Sequence, residues 1–334
     1  MKRTIALALC LLTLVLAVAV AGTRALLQAP GEPGVEVQTF NVARGAGLAR
    51  ISAELEAAGL VRSAVATQWL GRLKTPPTRL YVGEYELSPS WTSAEILHHL
   101  SSGQVKTYPV VIPEGLRATE IAARLEAAGL ADPTAFMLAV HDSEFAHSLG
   151  VEGDTLEGYL FPDTYRFPLD FPERDVAKRL VDRFHSVWAT IEPKARESGM
   201  SMKEVVSLAS IVEKETAAAE ERPVIAAVFL NRLNKHMRLE TDPTVIYGIA
   251  NFDGNLKKRH LTDRSNPYNT YRHMGLPPGP IANPGEDALL AVVEPDENEY
   301  LYFVSRNDGT HKFSRSYREH VNAVNRYQKR RRSR

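Results

Sequence analysis

An apolar run near the start of the chain, residues 5–21, follows the basic pair Lys2 and Arg3. In a helix that rises about 1.5 Å per residue, its 17 residues would measure roughly 26 Å, enough to cross the apolar core of a bilayer. The basic pair places the N-terminal end in the cytoplasm and the rest of the chain outside it. Alanines late in the run would also suit signal-peptide cleavage. We favour an uncleaved anchor, because the run exceeds the usual apolar part of a signal peptide.

A ten-residue pattern occurs twice, as ISAELEAAGL at residues 51–60 and as IAARLEAAGL at residues 121–130. In both copies the apolar positions follow a helical period, and Gly59 or Gly129 suits a left-handed helix end. An extended apolar segment and a glycine turn precede each copy. The pattern therefore predicts two strand–turn–helix units. Two copies are too few for a solenoid, so a duplicated small α+β module is expected.

Helical periods return in the second half of the chain. They predict a helix over about 173–190, a second over 201–217 that starts at a capping box with Ser201, and a third that starts near Pro223. Residues 300–313 read as two short strands around an Asn-Asp-Gly turn, which predicts a hairpin.

Composition narrows the class of protein. Hydrophobic residues make up 44% and charged residues 24%, as in ordinary globular domains, so disorder and a bundle of membrane spans are excluded. The 40 basic residues balance the 40 acidic ones, which gives no electrostatic reason to expect a nucleic-acid partner. The single cysteine, Cys10, excludes an intramolecular disulfide and a cysteine-based zinc site.

Candidate chemistry begins on the helix predicted over 201–217. Met202, Val206, Ala209 and Glu213 share one face, so Glu213 continues an apolar stripe. Ser207, Ser210 and Lys214 would form a polar face of the same helix. Burial disfavours an ionised carboxyl and raises its pKa, which would make Glu213 a candidate general acid. Glu215 is the rival because it continues a second apolar stripe, and the pattern alone does not separate the two.

Loops rich in Pro, Gly, Asn and Tyr surround this helix in the sequence, and long irregular loops in compact domains are often functional. Tyrosines offer a flat apolar face with a polar tip, which suits binding to a sugar. No H-E-x-x-H, G-x-S-x-G or S-x-x-K motif and no phosphate-binding glycine loop occurs. Catalysis by a serine, a metal or a nucleotide therefore has no support.

Eight motifs in this order resemble one known family, the YceG-like endolytic murein transglycosylases, over nearly the whole chain after the apolar run. They are EGYLFPDTY (157–165), LASIVEKET (208–216), FLNRL (229–233), LETDPTVIYG (239–248), YNTY (268–271), GLPPGPIANPG (275–285), YLYFV (300–304) and DGTHKF (308–313). One departure is Glu240, where the family pattern leads us to expect Gln.

The resemblance implies an α+β chain with an N-terminal transmembrane helix, a small LysM-like α+β module and a mixed α/β catalytic domain. The expected divisions are a cytoplasmic tail at 1–4, the transmembrane helix at 5–22, a linker at 23–35, the LysM-like module at 36–106, a second repeat-like segment at 107–150 and the catalytic domain at 151–334.

The resemblance also implies an activity. Such an enzyme is a lyase that cleaves the bond between N-acetylmuramic acid and N-acetylglucosamine inside nascent peptidoglycan strands, leaves 1,6-anhydro-muramic acid, and so limits strand elongation. It needs no metal or organic cofactor, and its catalytic glutamate maps to Glu213. The expected substrate-binding residues are Glu157, Tyr159, Asp163, Thr241, Asp242, Tyr268, Asn269 and Tyr271.

The expected location is the bacterial inner membrane, with a single span and the catalytic domain in the periplasm. Glycan strands and the membrane are the expected partners, peptidoglycan synthases are candidate protein partners, and nucleic acid is not expected. One rival is a non-catalytic wall-binding or scaffold protein. Another is a pyridoxal-phosphate lyase, a label that members of this family have carried. That rival needs a Schiff-base lysine and a phosphate site, whereas Lys214 falls on the polar helix face.

Overall fold

A computed structural model describes residues 2–32, 34–43, 45–73 and 80–329. The chain forms two compact units. The first comprises residues 1–108 with 166–170, and the second comprises residues 109–165 with 171–334. Helices and short antiparallel strands occur in both, which confirms a mixed α+β fold.

The first unit begins with a long apolar helix and continues as a strand–helix–helix–strand–helix sequence. Its elements are α1 (Lys2–Leu27), β1 (Gln38–Val42), α2 (Leu48–Ala57), α3 (Ala64–Leu73), β2 (Gly83–Leu87) and α4 (Ser93–Ser102). Within α1, the segment Leu9–Leu27 is long and apolar enough to span a membrane, with a mean hydropathy of 2.2. A signal sequence has the same length and composition.

A small core closes the first unit. Strands β1 and β2 pair antiparallel, from Gln38 opposite Leu87 to Val42 opposite Gly83. Alternate residues point to one face of this hairpin, so Phe40 and Tyr85 are buried there with Ile51 of α2. The strand alternation and the helical stripe seen in the sequence therefore meet in one core.

The elements that follow along the chain are mostly helical. They are β3 (Tyr108–Ile112), α5 (Ala118–Ala127), α6 (Pro133–Val140), α7 (Ser143–Ser148), β4 (Asp163–Phe167), α8 (Glu173–Ser198), α9 (Met202–Glu215), α10 (Arg222–Asn234), α11 (Asp242–Tyr247), α12 (Lys258–Thr262), α13 (Glu286–Val293), β5 (Tyr302–Ser305), β6 (His311–Ser314) and α14 (Tyr317–Val324). Strands β3 and β4 form one two-stranded sheet, and β5 and β6 form another.

The two copies of the repeat have the same local structure, as predicted. Strand β1 and helix α2 recur 70 residues later as β3 and α5. Gly59 and Gly129, which follow the two helices, have φ angles of +69° and +68°. This is the left-handed region that glycine tolerates without steric cost.

Helix α9 lies at the centre of the second unit, against α8, α10, α11 and α13. Its capping box is present, because Ser201 accepts a hydrogen bond from the Glu204 amide and the Glu204 carboxylate accepts one from the Ser201 amide. The prediction that Ser207 and Ser210 belong to a polar face is wrong, because both are buried. The Ser210 hydroxyl is satisfied internally, since it donates to the Ser207 carbonyl and accepts from the Ile281 amide.

Helix α8 is longer than predicted and extends to Ser198 with Pro193 inside it. Its buried face continues through Ile191 and Ala195. Packing on that face therefore outweighs the helix-breaking tendency of one proline. The predicted start at Pro223 and the predicted hairpin are both confirmed, because α10 begins at Arg222 and β5 pairs antiparallel with β6.

Candidate active site

A cavity of about 380 Å³ lies in the second unit, where the last residue of α9 meets the loop before α11 and the C-terminal hairpin. Its walls combine acidic, basic and aromatic side chains. The lining residues are Glu215, Phe229, Arg232, Leu239, Glu240, Thr241, Asp242, Tyr271, Tyr302, Phe303, Tyr317 and His320. Because these residues span more than a hundred positions, the cavity exists only in the folded unit.

Glu215 presents its carboxyl group to this cavity at the C-terminal end of α9. The hydroxyl of Thr241, the residue before α11, donates a hydrogen bond to Glu215 Oε1. Burial raises the pKa of Glu215, the Thr241 hydrogen bond opposes that rise, and the negative charge of Asp242 adds to it. The net rise favours the protonated form of Glu215 more than in an exposed glutamate, and a protonated carboxyl can donate a proton to a group in the cavity.

Two of the sequence motifs meet beside Glu215. The Thr241 amide donates to Thr270 Oγ1 at 3.1 Å, and the hydroxyls of Thr244 and Thr270 lie 2.8 Å apart. The Tyr271 hydroxyl donates to Asp242 Oδ1 at 2.7 Å. These contacts bring the segment 239–248 to the segment 268–271, so each fixes the other's position at the cavity.

Arg232 forms the basic part of the cavity wall. Its Nε donates to the Leu301 carbonyl at 2.6 Å, and its Nη1 donates to the Leu239 carbonyl at 2.8 Å. The same Nη1 lies 3.6 Å from a Glu240 carboxylate oxygen, and the guanidinium carbon lies 5.1 Å from the centre of the Tyr302 ring. The buried Arg232 guanidinium therefore connects α10 to Leu301, the residue before β5.

Glu240 has an unusual backbone conformation for a residue with a side chain, with φ at +51°. A left-handed conformation is uncommon for residues other than glycine and carries a cost of the order of 1 kcal/mol. The Glu240 amide donates to the Thr270 carbonyl at 3.3 Å. The pairing of the two motifs therefore holds Glu240 in this conformation.

Glu213 lies in a different environment from Glu215, although only one residue separates them. Its carboxylate accepts from Arg222 Nη2 at 3.3 Å and from the Gly285 amide at 3.2 Å. Arg222 also pairs with Glu114 and Asp287. Burial raises the pKa of Glu213, and the positive charge of Arg222 opposes that rise. Glu213 is not among the residues that line the cavity.

Glu157 is buried within a set of hydrogen-bond donors. Its carboxylate accepts from the Ala118 amide at 3.0 Å, from Asn283 Nδ2 at 3.0 Å and from the Tyr247 hydroxyl at 3.3 Å. Burial raises the pKa of Glu157 to about 7, and the donors oppose the rise. Because Ala118 is the first residue of α5, Glu157 links that helix to the loop that carries Asn283.

The other expected binding residues have structural contacts. Tyr159 is fully buried against Phe184, with ring centres 5.1 Å apart, and Asp163 pairs with Arg183 at 2.7 Å. The Asn269 side-chain amide donates to the Asp263 carbonyl at 2.6 Å. The Tyr268 ring packs on Tyr247 with centres 4.7 Å apart.

The structure therefore brings only part of the expected set together. Thr241, Asp242 and Tyr271 share the cavity with Glu215, whereas the other expected residues are not among those that line it. For Glu157, Tyr159, Asp163, Tyr268 and Asn269, contact with a substrate stays a prediction.

Sequence reasoning missed several cavity residues. Arg232 and Tyr302 belong to motifs quoted above, FLNRL and YLYFV, but nothing in those motifs singled them out. Tyr317 and His320 belong to none of those motifs, and α14 brings them to the cavity with stacked Tyr302 and His320 rings 5.3 Å apart. In the described part of the chain, no group of three or more His, Cys, Asp or Glu residues could hold a metal ion.

Comparisons with known proteins identify a family and several relatives that match most of this chain. The model of the YceG-like family matches residues 40–326. A Bacillus subtilis protein named endolytic murein transglycosylase is 31% identical over 309 residues, covering 86% of this chain and 84% of the relative. A protein of the same name from Streptococcus pneumoniae is 29% identical over 333 residues, and the match covers 85% of this chain but only 58% of that longer relative.

One solved structure is also similar. The crystal structure of a YceG-like protein from Listeria monocytogenes has a TM-score of 0.59 and 30% sequence identity to this chain. The match covers 86% of this chain and 98% of that one.

Proposed function

The chain belongs to the YceG-like family, and we propose that it is an endolytic murein transglycosylase, a lyase that cleaves glycan strands of peptidoglycan internally. The observation that carries the proposal is the partly buried Glu215 side chain, which lines a polar and aromatic cavity beside Thr241, Asp242 and Tyr271. A carboxylic acid with a raised pKa beside the bound sugar is the central requirement for cleaving a glycosidic bond.

We propose Glu215 as the general acid, although the resemblance assigns that role to Glu213. The Glu213 carboxylate is occupied by Arg222 and the Gly285 amide, and a cation beside a carboxyl favours its ionised form. The partner of Glu215 is a neutral hydroxyl, and its carboxyl group borders the cavity. Of the two, only Glu215 lines this cavity, so it is better placed to deliver a proton to a substrate bound there.

The reaction needs one group that first gives and then takes a proton. Glu215 protonates the oxygen between the muramic acid and glucosamine rings as the bond to muramic C1 breaks. The resulting carboxylate takes the proton of the muramic C6 hydroxyl, whose oxygen bonds to C1 and forms the 1,6-anhydro ring. Attack from within the same sugar gains the advantage of an intramolecular reaction and consumes no water.

The cavity walls supply groups that suit such a substrate. The aromatic rings of Tyr271 and Tyr302 offer flat surfaces for the apolar faces of sugars, and Asp242 and Glu240 offer acceptors for hydroxyl groups. Negative charge on Asp242, Glu240 and the ionised Glu215 would also favour an oxocarbenium-like transition state. Their contact with sugar is part of the proposal.

We further propose that α1 remains as a membrane anchor, that residues 36–106 form a LysM-like glycan-binding module, and that the catalytic domain, residues 151–334, works in the periplasm. Peptidoglycan synthases are proposed partners, because an enzyme that cuts nascent strands must meet them where they are made. The length and hydropathy of α1 support the anchor, and the strand–helix arrangement of the first unit is compatible with a small binding module.

Product analysis tests the proposal. Full-length protein in detergent is incubated with uncrosslinked glycan strands, and the products are read by mass spectrometry. Internal fragments that end in 1,6-anhydro-muramic acid are expected. Reducing ends would indicate a hydrolase with a second catalytic carboxylate, for which Asp242 is the nearest candidate. Binding without cleavage would support the alternative function, a wall-binding scaffold protein.

A further inference from the structure

An exposed apolar stripe runs along α3 in the first unit. Val65, Trp69 and Leu73 follow one another at four-residue steps, so they share one face of the helix. Their exposed fractions are 64%, 57% and 75%. The opposite face of α3 is buried, where Thr67 bonds to Ser93. The stripe is therefore not needed for the core, and three large exposed apolar residues in a row mark a contact surface.

Helix α1, the proposed membrane anchor, contacts the helix that carries this stripe. Helix α1 contacts α3, and along its described part only Leu27, its last residue, is partly covered by the protein. The contact is therefore at the end of α1, where an anchor would leave the apolar core of the bilayer. With α1 as the anchor proposed above, this contact would place α3 at the level of the lipid headgroups.

The segment after α1 is attached to the first unit. The Gly31 amide donates to the Pro89 carbonyl at 2.9 Å, and Arg62 Nε donates to the Ala29 carbonyl at 2.8 Å. These bonds attach Ala29 and Gly31, which follow α1 closely, to the first unit. The first unit therefore has a preferred side towards the anchor, instead of swinging freely on a linker.

The chemistry of α3 suits a lipid surface. No acidic residue occurs between Ala64 and Leu73, and Arg72 lies exposed in its last turn. Tryptophan favours the interface between headgroups and acyl chains, and arginine attracts anionic headgroups.

We propose that the stripe Val65–Trp69–Leu73 inserts into the surface of the membrane that α1 spans and holds the first unit flat against it. The proposal rests on the anchor proposed above. It gives the first unit a second membrane contact, with a phospholipid bilayer containing anionic lipid as the partner.

Tryptophan quenching by brominated lipids tests the contact, because bromine quenches only at short range. The full chain carries three tryptophans, so the variant Trp91→Phe/Trp188→Phe leaves Trp69 as the reporter. It is reconstituted into vesicles of phosphatidylethanolamine and phosphatidylglycerol, with or without bromine on the acyl chains. The matched control, Trp69→Phe/Trp91→Phe, reports on Trp188, which is 6% exposed in α8.

We expect bromine to lower the Trp69 emission at least about twofold and to leave the Trp188 emission nearly unchanged, because interfacial tryptophans sit next to the acyl chains. Adding Val65→Ser and Leu73→Ser should reduce the quenching of Trp69, with the thermal midpoint of the protein in detergent unchanged, because both side chains are exposed. Equal, weak quenching of both reporters would overturn the proposal. The proposal would also be overturned if glycan strands changed the Trp69 emission in detergent while brominated lipids left it unchanged in vesicles.

Vesicle flotation after alkaline washing separates this proposal from the anchor on which it rests. Protein that floats while Trp69 is not quenched would overturn the docking of α3 alone. Protein that is washed off would overturn both the anchor and the docking.

Discussion

The carboxyl groups of Glu213 and Glu215 leave the same turn of α9 and meet opposite kinds of partner: a guanidinium for Glu213 and a hydroxyl for Glu215. The first arrangement holds Glu213 in an ion pair with Arg222, which opposes the rise of its pKa that burial causes. The second, at the edge of a cavity, favours a carboxyl group that exchanges protons with a ligand. This difference distinguishes two residues that a helical wheel treats as equivalent candidates.

We predict that Glu215→Gln lowers kcat for glycan cleavage by about 100-fold or more, because loss of a general acid removes a factor of roughly 10²–10⁴. Glu213→Gln should keep kcat within about tenfold of wild type, since its carboxylate serves a buried ion pair and does not line the cavity. Rates from anhydro-muramic product formation, at matched thermal stability, distinguish the two. The reverse ranking would support Glu213 as the acid, as the resemblance implies.

The pKa of Glu215 should depend on the hydrogen bond that it accepts from the Thr241 hydroxyl. The hydrogen bond from the Thr241 hydroxyl favours the ionised form of Glu215 and so lowers its pKa. Thr241→Val removes that bond, so the pKa of Glu215 should rise and the alkaline limb of the kcat/KM profile should move to higher pH. Thr241→Ser keeps the hydroxyl and serves as the control. If the alkaline limb of the kcat/KM profile stays in place in Thr241→Val, Glu215 is not the general acid.

Arg222 should matter for stability. It is 8% exposed and faces Glu114, Glu213 and Asp287. Arg222→Met leaves the Glu213 carboxylate buried without a cation, which should cost about 3–5 kcal/mol of unfolding free energy. In the variant the pKa of Glu213 rises further, so the loss of unfolding free energy relative to wild type should grow as the pH rises from 5 to 8. Thermal unfolding at both pH values measures the loss of stability. Arg222→Lys keeps the positive charge and should show a smaller loss. A loss that is equal at both pH values would contradict the ion-pair account.

Glu157 should make the wild type less stable at higher pH. Its folded-state pKa of about 7 exceeds the usual glutamate value of 4.5, so its stabilising contribution is complete below pH 4.5 and is lost as the pH rises to 7. The difference corresponds to about 3 kcal/mol. Glu157→Gln stays neutral, and its thermal midpoint should depend less on pH between 5 and 8. Parallel curves for the two proteins would contradict the raised pKa.

Local features of the fold were predictable from the sequence because each depends on neighbouring residues. The capping box at Ser201, the helix start at Pro223 and the left-handed glycines Gly59 and Gly129 belong to this class. Each is a contact or a backbone preference within a few positions, so a short pattern contains all the information.

The site was less predictable because its contacts are distant along the chain. Glu215 meets Thr241 across 26 residues, and Glu213 meets Gly285 across 72. No helical period says which of two neighbouring faces will receive a cation. Similarly, Tyr159 and Asn269 carry groups that suit a groove, but the same groups also fill a core or fix a loop.

Asn283 has a consequence for how the protein matures. Its side chain accepts from the Gly158 amide and donates to the Leu116 carbonyl, across 125 and 167 residues. Closing loops of that length requires most of the chain to be present, and chains fold as they emerge from the N-terminal end. Under the export proposed above, Glu215 would cross the membrane before Tyr317 and His320, which complete its cavity. Catalytic competence would then arrive only with the last segment, so an unfinished molecule could not cut the wall.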